Sequence, residues 1–93
     1  MDKKKLQKIR KEIDRIDIKI LNLIKKRTLS VDNLLKIKKL NKHIVDKSRE
    51  KKIFKNIKKK SIKNNIDPKI TKRIWKNMIL SYIDFERRNF KKK

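Results

Sequence analysis

The chain has no cysteine, no glycine and no alanine, a single proline (Pro68) and a single histidine (His43). Each absence removes a class of chemistry. Without cysteine there are no disulfides, no thiolate nucleophile and no cysteine-ligated zinc. Without glycine there are no glycine-dependent turns and no phosphate-cradling loops of the Walker or Rossmann kind. One histidine is too few for a histidine metal site. No apolar run approaches the roughly 20 residues that cross a bilayer. The opening "MDKKKLQKIRKEID" lacks the apolar core of a signal peptide. A cytoplasmic protein, with no membrane partner, is the expectation. Acidic residues are also scarce, 10 against 33 Lys+Arg, for a formal net charge of +23.

What is present is lysine, isoleucine and asparagine, in a chain of 93 residues. That length implies one domain, 1–93, with little surface to bury. The charge attracts polyanions and small anionic ligands and repels the chain from itself. Taken alone it suggests nucleic acid. The same mixture of residues also arises from an AT-rich genome, so the charge is discounted in part.

Apolar spacing divides the chain into three helices, an all-α fold. The first runs from about 3 to 40, with Asp2 as N-cap and a seam of Leu6, Ile9, Ile13, Ile16, Ile20, Leu23/Ile24, Val31 and Leu34. Asp46 can cap a second, from about 47 to 63, carried by Ile53, Phe54 and Ile57. "NNIDP" punctuates the chain, with Asp67 as cap and Pro68 as first helical residue, where its missing N–H costs nothing. The third runs to about 90 on Ile74, Trp75, Met78, Ile79, Tyr82 and Ile83. The first helix would span roughly 55 Å, whereas a compact chain of this size has a radius of gyration near 13 Å, roughly. Either it bends back at an unmarked break or it needs a partner. Ile18, Leu29 and Leu40, eleven apart on the face opposite the seam, also need cover. An intertwined homodimer is therefore expected.

Charges interrupt all three apolar stripes. At about 100° per residue, Arg27 and Lys38 both fall within about 20° of the centre of the first stripe, roughly 16 Å apart along it. Arg10 lies near the stripe's edge, roughly 25 Å from Arg27, too far to serve the same pocket in one chain but able to serve a partner's. On the second helix Glu50 shares the apolar face and Arg49 sits at its edge. On the third, Glu86 continues the line of Trp75, Ile79, Tyr82 and Ile83. An unpaired buried charge is costly. Two arrangements avoid that cost: ion pairs between helices, with Arg27 or Lys38 against Glu50 or Glu86, or a polar pocket holding an anion. Arginine suits a carboxylate because its fork binds both oxygens. The pattern leaves both open.

The stretches "IRKEIDRIDIKILNLIKKR", "KIK", "VDKSREKKI" and "IDPKITKRIWKNMI" resemble the all-helical class of chorismate mutase, the small intertwined-dimer type, over nearly the whole chain. The opening block is the most specific, with arginines seventeen residues apart around "IDRIDIKIL". The resemblance implies rearrangement of chorismate to prephenate on the route to phenylalanine and tyrosine, a pericyclic step with no metal or organic cofactor. Such a step asks that a flexible dianion be held in a compact reactive conformer. It also asks that charge growing on the ether oxygen meet fixed donors. By resemblance, Arg27 grips one substrate carboxylate within its own chain, and Arg10 reaches into the other subunit's site. Lys38 contacts a carboxylate and the ether oxygen, Arg49 organises the carboxylate region, and Glu50 binds the ring hydroxyl. Asp46 matches a nearby polar position, although a plain helix cap explains it better.

Two positions depart from the common pattern. Tyr82 falls where serine is common; Ser81 could take that role in a shifted register, leaving Tyr82 as core. Glu86 falls where glutamine is usual. An ionised glutamate cannot donate a hydrogen bond to the ether oxygen, so Glu86 would have to carry a proton to assist.

Isochorismate–pyruvate lyases share this fold and a related dianion; the "SRE" glutamate, Glu50, favours the mutase. A helical nucleic-acid binder would account for "KNIKKKSIKNN", but not for charges at stripe centres, and no nucleic acid is expected as partner. Nothing in the sequence supports a separate pocket for an aromatic amino-acid effector.

Overall fold

The computed structural model describes residues 2–37 and 44–90. They form α1 (Lys3–Ile37), α2 (Lys47–Lys63) and α3 (Pro68–Asn89), with no strand among the described residues. The all-α reading and the long first helix hold. Lys38 and Leu40, expected at the end of α1, lie outside the described residues.

Each helix starts on the aspartate expected to cap it. Asp2 Oδ1 accepts from the backbone N–H of Lys4 (3.0 Å) and Lys5 (3.3 Å). Asp46 Oδ1 accepts from Arg49 N–H at 2.9 Å, and Asp67 Oδ1 from Lys69 N–H at 2.9 Å, ahead of Pro68 in the first turn of α3. A cap of this kind stabilises a helix by about 1 kcal/mol, because it satisfies a donor that the first turn leaves open.

α2 ends without glycine in a turn that glycine usually makes. Asn65 takes φ 58°, in the left-handed region. Its N–H donates to Ile62 O (3.2 Å), and Ile66 N–H donates back to Ser61 O (2.8 Å). This is the Schellman pattern, with asparagine in the position that lacks a Cβ penalty only for glycine.

The chain resolves into two compact units, one through Asn33 and one from Leu34. The first is α1 by itself. Its seam is uncovered: Ile9, Ile13, Ile16, Ile20, Leu23 and Ile24 are all 40–61% exposed, as are Ile18 and Leu29 at 57%. α1 runs without interruption to Ile37, so the expected alternative of a break is absent over those residues. Burying six such side chains is worth on the order of 10 kcal/mol, which one chain's α1 unit leaves unrealised.

The second unit is the end of α1 with the α2–α3 pair. The four-residue connection makes α2 and α3 antiparallel neighbours. Leu35, Ile44 and Ile79 are buried apolar residues. On α2 the face withdrawn from solvent is Glu50, Ile53, Phe54, Ile57 and Ser61; on α3 it includes Thr71, Trp75, Met78, Ile79, Tyr82, Ile83 and Glu86. Ile74, read from the sequence as part of that stripe, is instead 48% exposed. At about 100° per residue, Ile74 lies about 140° from Ile79 around α3, outside the arc that Trp75, Met78, Tyr82 and Ile83 occupy. Ser61, only 3% exposed, joins the helices: its Oγ donates to Ile57 O (2.6 Å) and lies 2.8 Å from Thr71 Oγ1.

Candidate active site

Nearly every described charged side chain is exposed. The exceptions are Arg27, Asp32, Glu50 and Glu86. Three of these four were picked from the sequence as charges on apolar stripes. The fourth, Asp32, was not, because it sits off the α1 seam and hydrophobic spacing carries no signal for it.

On α1, Arg27 is half-buried and its Nη1 atom is sealed from solvent. Arg10 is exposed, seventeen residues earlier on the same uninterrupted helix. About 25 Å of helix separates them, so one α1 cannot bring both to one small ligand.

On the α2–α3 pair, Glu50 begins the inward face of α2. Its side chain is 18% exposed, and its Oε2 lies 3.3 Å from Nζ of Lys47, a turn earlier and in solvent. That contact is within one helix, unlike the interhelical pairing considered from the sequence. Glu86 is 7% exposed and shares the buried side of α3 with Ile79. Both glutamates lie in the half of the hairpin away from its turn, about 21 Å (Glu50) and about 28 Å (Glu86) from it along their helices. The two helices thus bring two acids of distant sequence to one end of the unit.

The remaining expected residues divide by what they do. Asp46 is exposed and its carboxylate caps α2, as the plain reading had it. Arg49 is exposed one residue before Glu50. Tyr82 is half-buried, edge-on to Phe85 with ring centroids 6.2 Å apart. Ser81 is exposed and donates to Asn77 O of its own helix at 2.7 Å, so it is Tyr82 that faces inward on α3. Lys38 lies outside the described residues. Among the described residues no cluster of His, Cys, Asp or Glu is arranged to hold a metal ion, and no helix is long and apolar enough to cross a membrane.

Comparison with curated proteins and with solved structures gave no match. The family model for chorismate mutase type II matches residues 9–87, from the α1 seam through Glu86 and nearly the whole of the three helices. The chain therefore belongs to the chorismate mutase type II family, whose members are isomerases of the all-helical class.

Proposed function

We propose that the protein converts chorismate to prephenate on the route to phenylalanine and tyrosine, as a homodimer whose sites each draw on both chains. The observation that carries this reading is the selective shielding of Arg27, Glu50 and Glu86 in a chain whose other ionic groups are almost all in water. Groups withdrawn from solvent call for polar partners; in this reading the substrate offers a carboxylate to Arg27, a hydroxyl to Glu50 and its ether oxygen to a protonated Glu86.

In this reading Arg27 and Arg49 bind substrate carboxylates, the fork of each guanidinium meeting two oxygens. Arg10 comes from the other chain. Lys38 and Glu86 face the ether oxygen, and Glu50 accepts a hydrogen bond from the ring hydroxyl. Asp46 contributes by holding the start of α2, and Tyr82 by walling the site. Catalysis then has two parts. Binding both carboxylates at fixed points selects the folded conformer of the substrate. Donors aimed at the ether oxygen favour the transition state over the ground state, since the charge they meet grows only as the bond breaks.

Following chorismate loss in the ultraviolet, with prephenate detected directly, tests the reading, with isochorismate assayed in parallel. Turnover of chorismate to prephenate supports it. Pyruvate release from isochorismate alone would transfer the site to lyase chemistry. Absence of both activities, with tight nucleic-acid binding that weakens steeply with salt, would replace it.

A further inference from the structure

Charge is most lopsided on α2. No acid falls between Glu50 and Asp67, where seven lysines do, although acids recur on α1 (Glu12, Asp14, Asp17, Asp32) and α3 (Asp84, Glu86). A composition rich in lysine does not by itself keep acids out of one stretch. Lys51, Lys55, Lys59 and Lys63 recur every four residues, a row about 18 Å long with about 6 Å between members. Lys52 and Lys58 flank it. These six lie within an arc of about 140°, on the side of α2 away from Glu50, Ile57 and Ser61. All are exposed, and none pairs with an acid among the described residues. The four helical neighbours of Lys55, three and four positions either side, are Lys51, Lys52, Lys58 and Lys59. Like charges at that spacing repel, and a bound polyanion would cancel the repulsion. Lys55 and Lys58 also edge an open groove of about 460 Å³, which Lys69 and Lys72 edge from α3, so the basic surface continues onto the next helix. Phe54 and Ile57 floor that groove from the inward face of α2.

The make-up of the row selects among polyanionic partners. A helix lying in a bilayer surface inserts apolar side chains, and a protein interface has an apolar centre. The row has neither; Ile62 is the one large apolar residue exposed on α2. Single-stranded nucleic acid is held on aromatic platforms, and the one aromatic residue of α2, Phe54, is turned inward. A duplex needs none of these, because its phosphates face outward and its non-specific binding is almost wholly electrostatic. Lysine, a mobile point charge, suits a phosphate backbone without reading bases. A row of about 18 Å passes about five phosphates of one strand, at about 3.4 Å each. We infer that the outward face of α2 binds the phosphate backbone of double-stranded DNA irrespective of sequence, with Lys51, Lys55, Lys59 and Lys63 following one strand. The charges at stripe centres, which DNA leaves unexplained, belong to the chorismate site proposed above. Glu50 faces that site from the other side of α2, so the two functions are separable.

The test is fluorescence anisotropy of a labelled, mixed-sequence DNA duplex of about 20 base pairs, titrated with the full chain between about 50 and about 200 mM salt. Each phosphate neutralised steepens the fall of log affinity with log salt by about 0.9. Lys55→Gln/Lys59→Gln is therefore expected to flatten that slope by about 1.8, with chorismate turnover unchanged. Lys8→Gln/Lys19→Gln removes the same charge from exposed positions on α1 and should leave the slope near that of the parent chain. Equal losses from the two variants would make binding a matter of net charge and overturn the assignment. So would failure of the parent chain to bind the duplex. Tighter binding of the corresponding single strand overturns it too, as does capture by phosphatidylglycerol vesicles that the duplex does not reverse. Lys55→Arg/Lys59→Arg keeps the charge and should keep the slope; a flattened slope there would show that the replacements act through the fold, which overturns the inference. Circular dichroism checks that helical content persists in every variant.

Discussion

Glu86 shows how much one side chain can decide. It is a carboxyl group 7% exposed, in line with the apolar residues of α3, at the position where the family resemblance leads one to expect an amide. A protonated carboxyl donates to an ether oxygen gaining negative charge; an ionised one repels it. Glu86→Gln replaces an acid that must hold a proton to donate with an amide that always donates, so the variant is expected to turn chorismate over at least as fast as the parent chain. A fall in kcat with helical content unchanged would remove the donor role. Arg27 is the second residue of this kind. Arg27→Ala should lower kcat/KM about 100-fold or more with helical content unchanged, by analogy with loss of a single charge-stabilising donor. Arg27→Lys should recover little of it, since an ammonium lacks the planar fork.

At the scale of the element, helix starts were legible and the α2–α3 turn only in part. Asp2, Asp46 and Asp67 announce their helices because a short carboxylate next to a free N–H is a local interaction. "NNIDP" marks a break, but nothing in it says that Asn65 rather than Asn64 turns left-handed. With glycine absent, asparagine is the side chain that tolerates the conformation at least cost. Asn65→Ala should therefore destabilise the fold by about 1 kcal/mol, and Asn65→Gly should not. Urea unfolding followed by circular dichroism distinguishes them. The Ser61–Thr71 contact was not foreseen at all, because hydrophobic spacing has no term for a hydroxyl that lets two helices approach. Ser61→Ala should cost about 1 kcal/mol, the worth of a buried hydrogen bond.

At the scale of the whole molecule, the uncovered α1 seam and the distance from Arg10 to Arg27 point the same way. Each proposed site takes Arg10 from one chain and Arg27 from the other. Mixing inactive Arg10→Ala and Arg27→Ala chains should therefore restore activity, since one site of the mixed dimer keeps both arginines. No recovery after confirmed subunit exchange would count against shared sites. Charge acts at this scale too. With +23 on each chain, association brings together like charges, and salt screens that repulsion within about 10 Å at 0.1 M. The dimer is expected to tighten between low and moderate ionic strength, as measured by sedimentation.

The sequence alone determined the helices, their aspartate caps and which charges interrupt the stripes, because periodicity and capping act within a few residues of chain. It also held the family pattern. Tertiary structure decided the rest: that Ile74 is left in water while Trp75 turns inward, that Ser61 bridges two helices, that Glu50 and Glu86 share one end of a hairpin, and that lysines of α2 and α3 surround one groove. Those outcomes depend on which faces of neighbouring helices meet, and a one-dimensional pattern names the faces without saying what each will be set against.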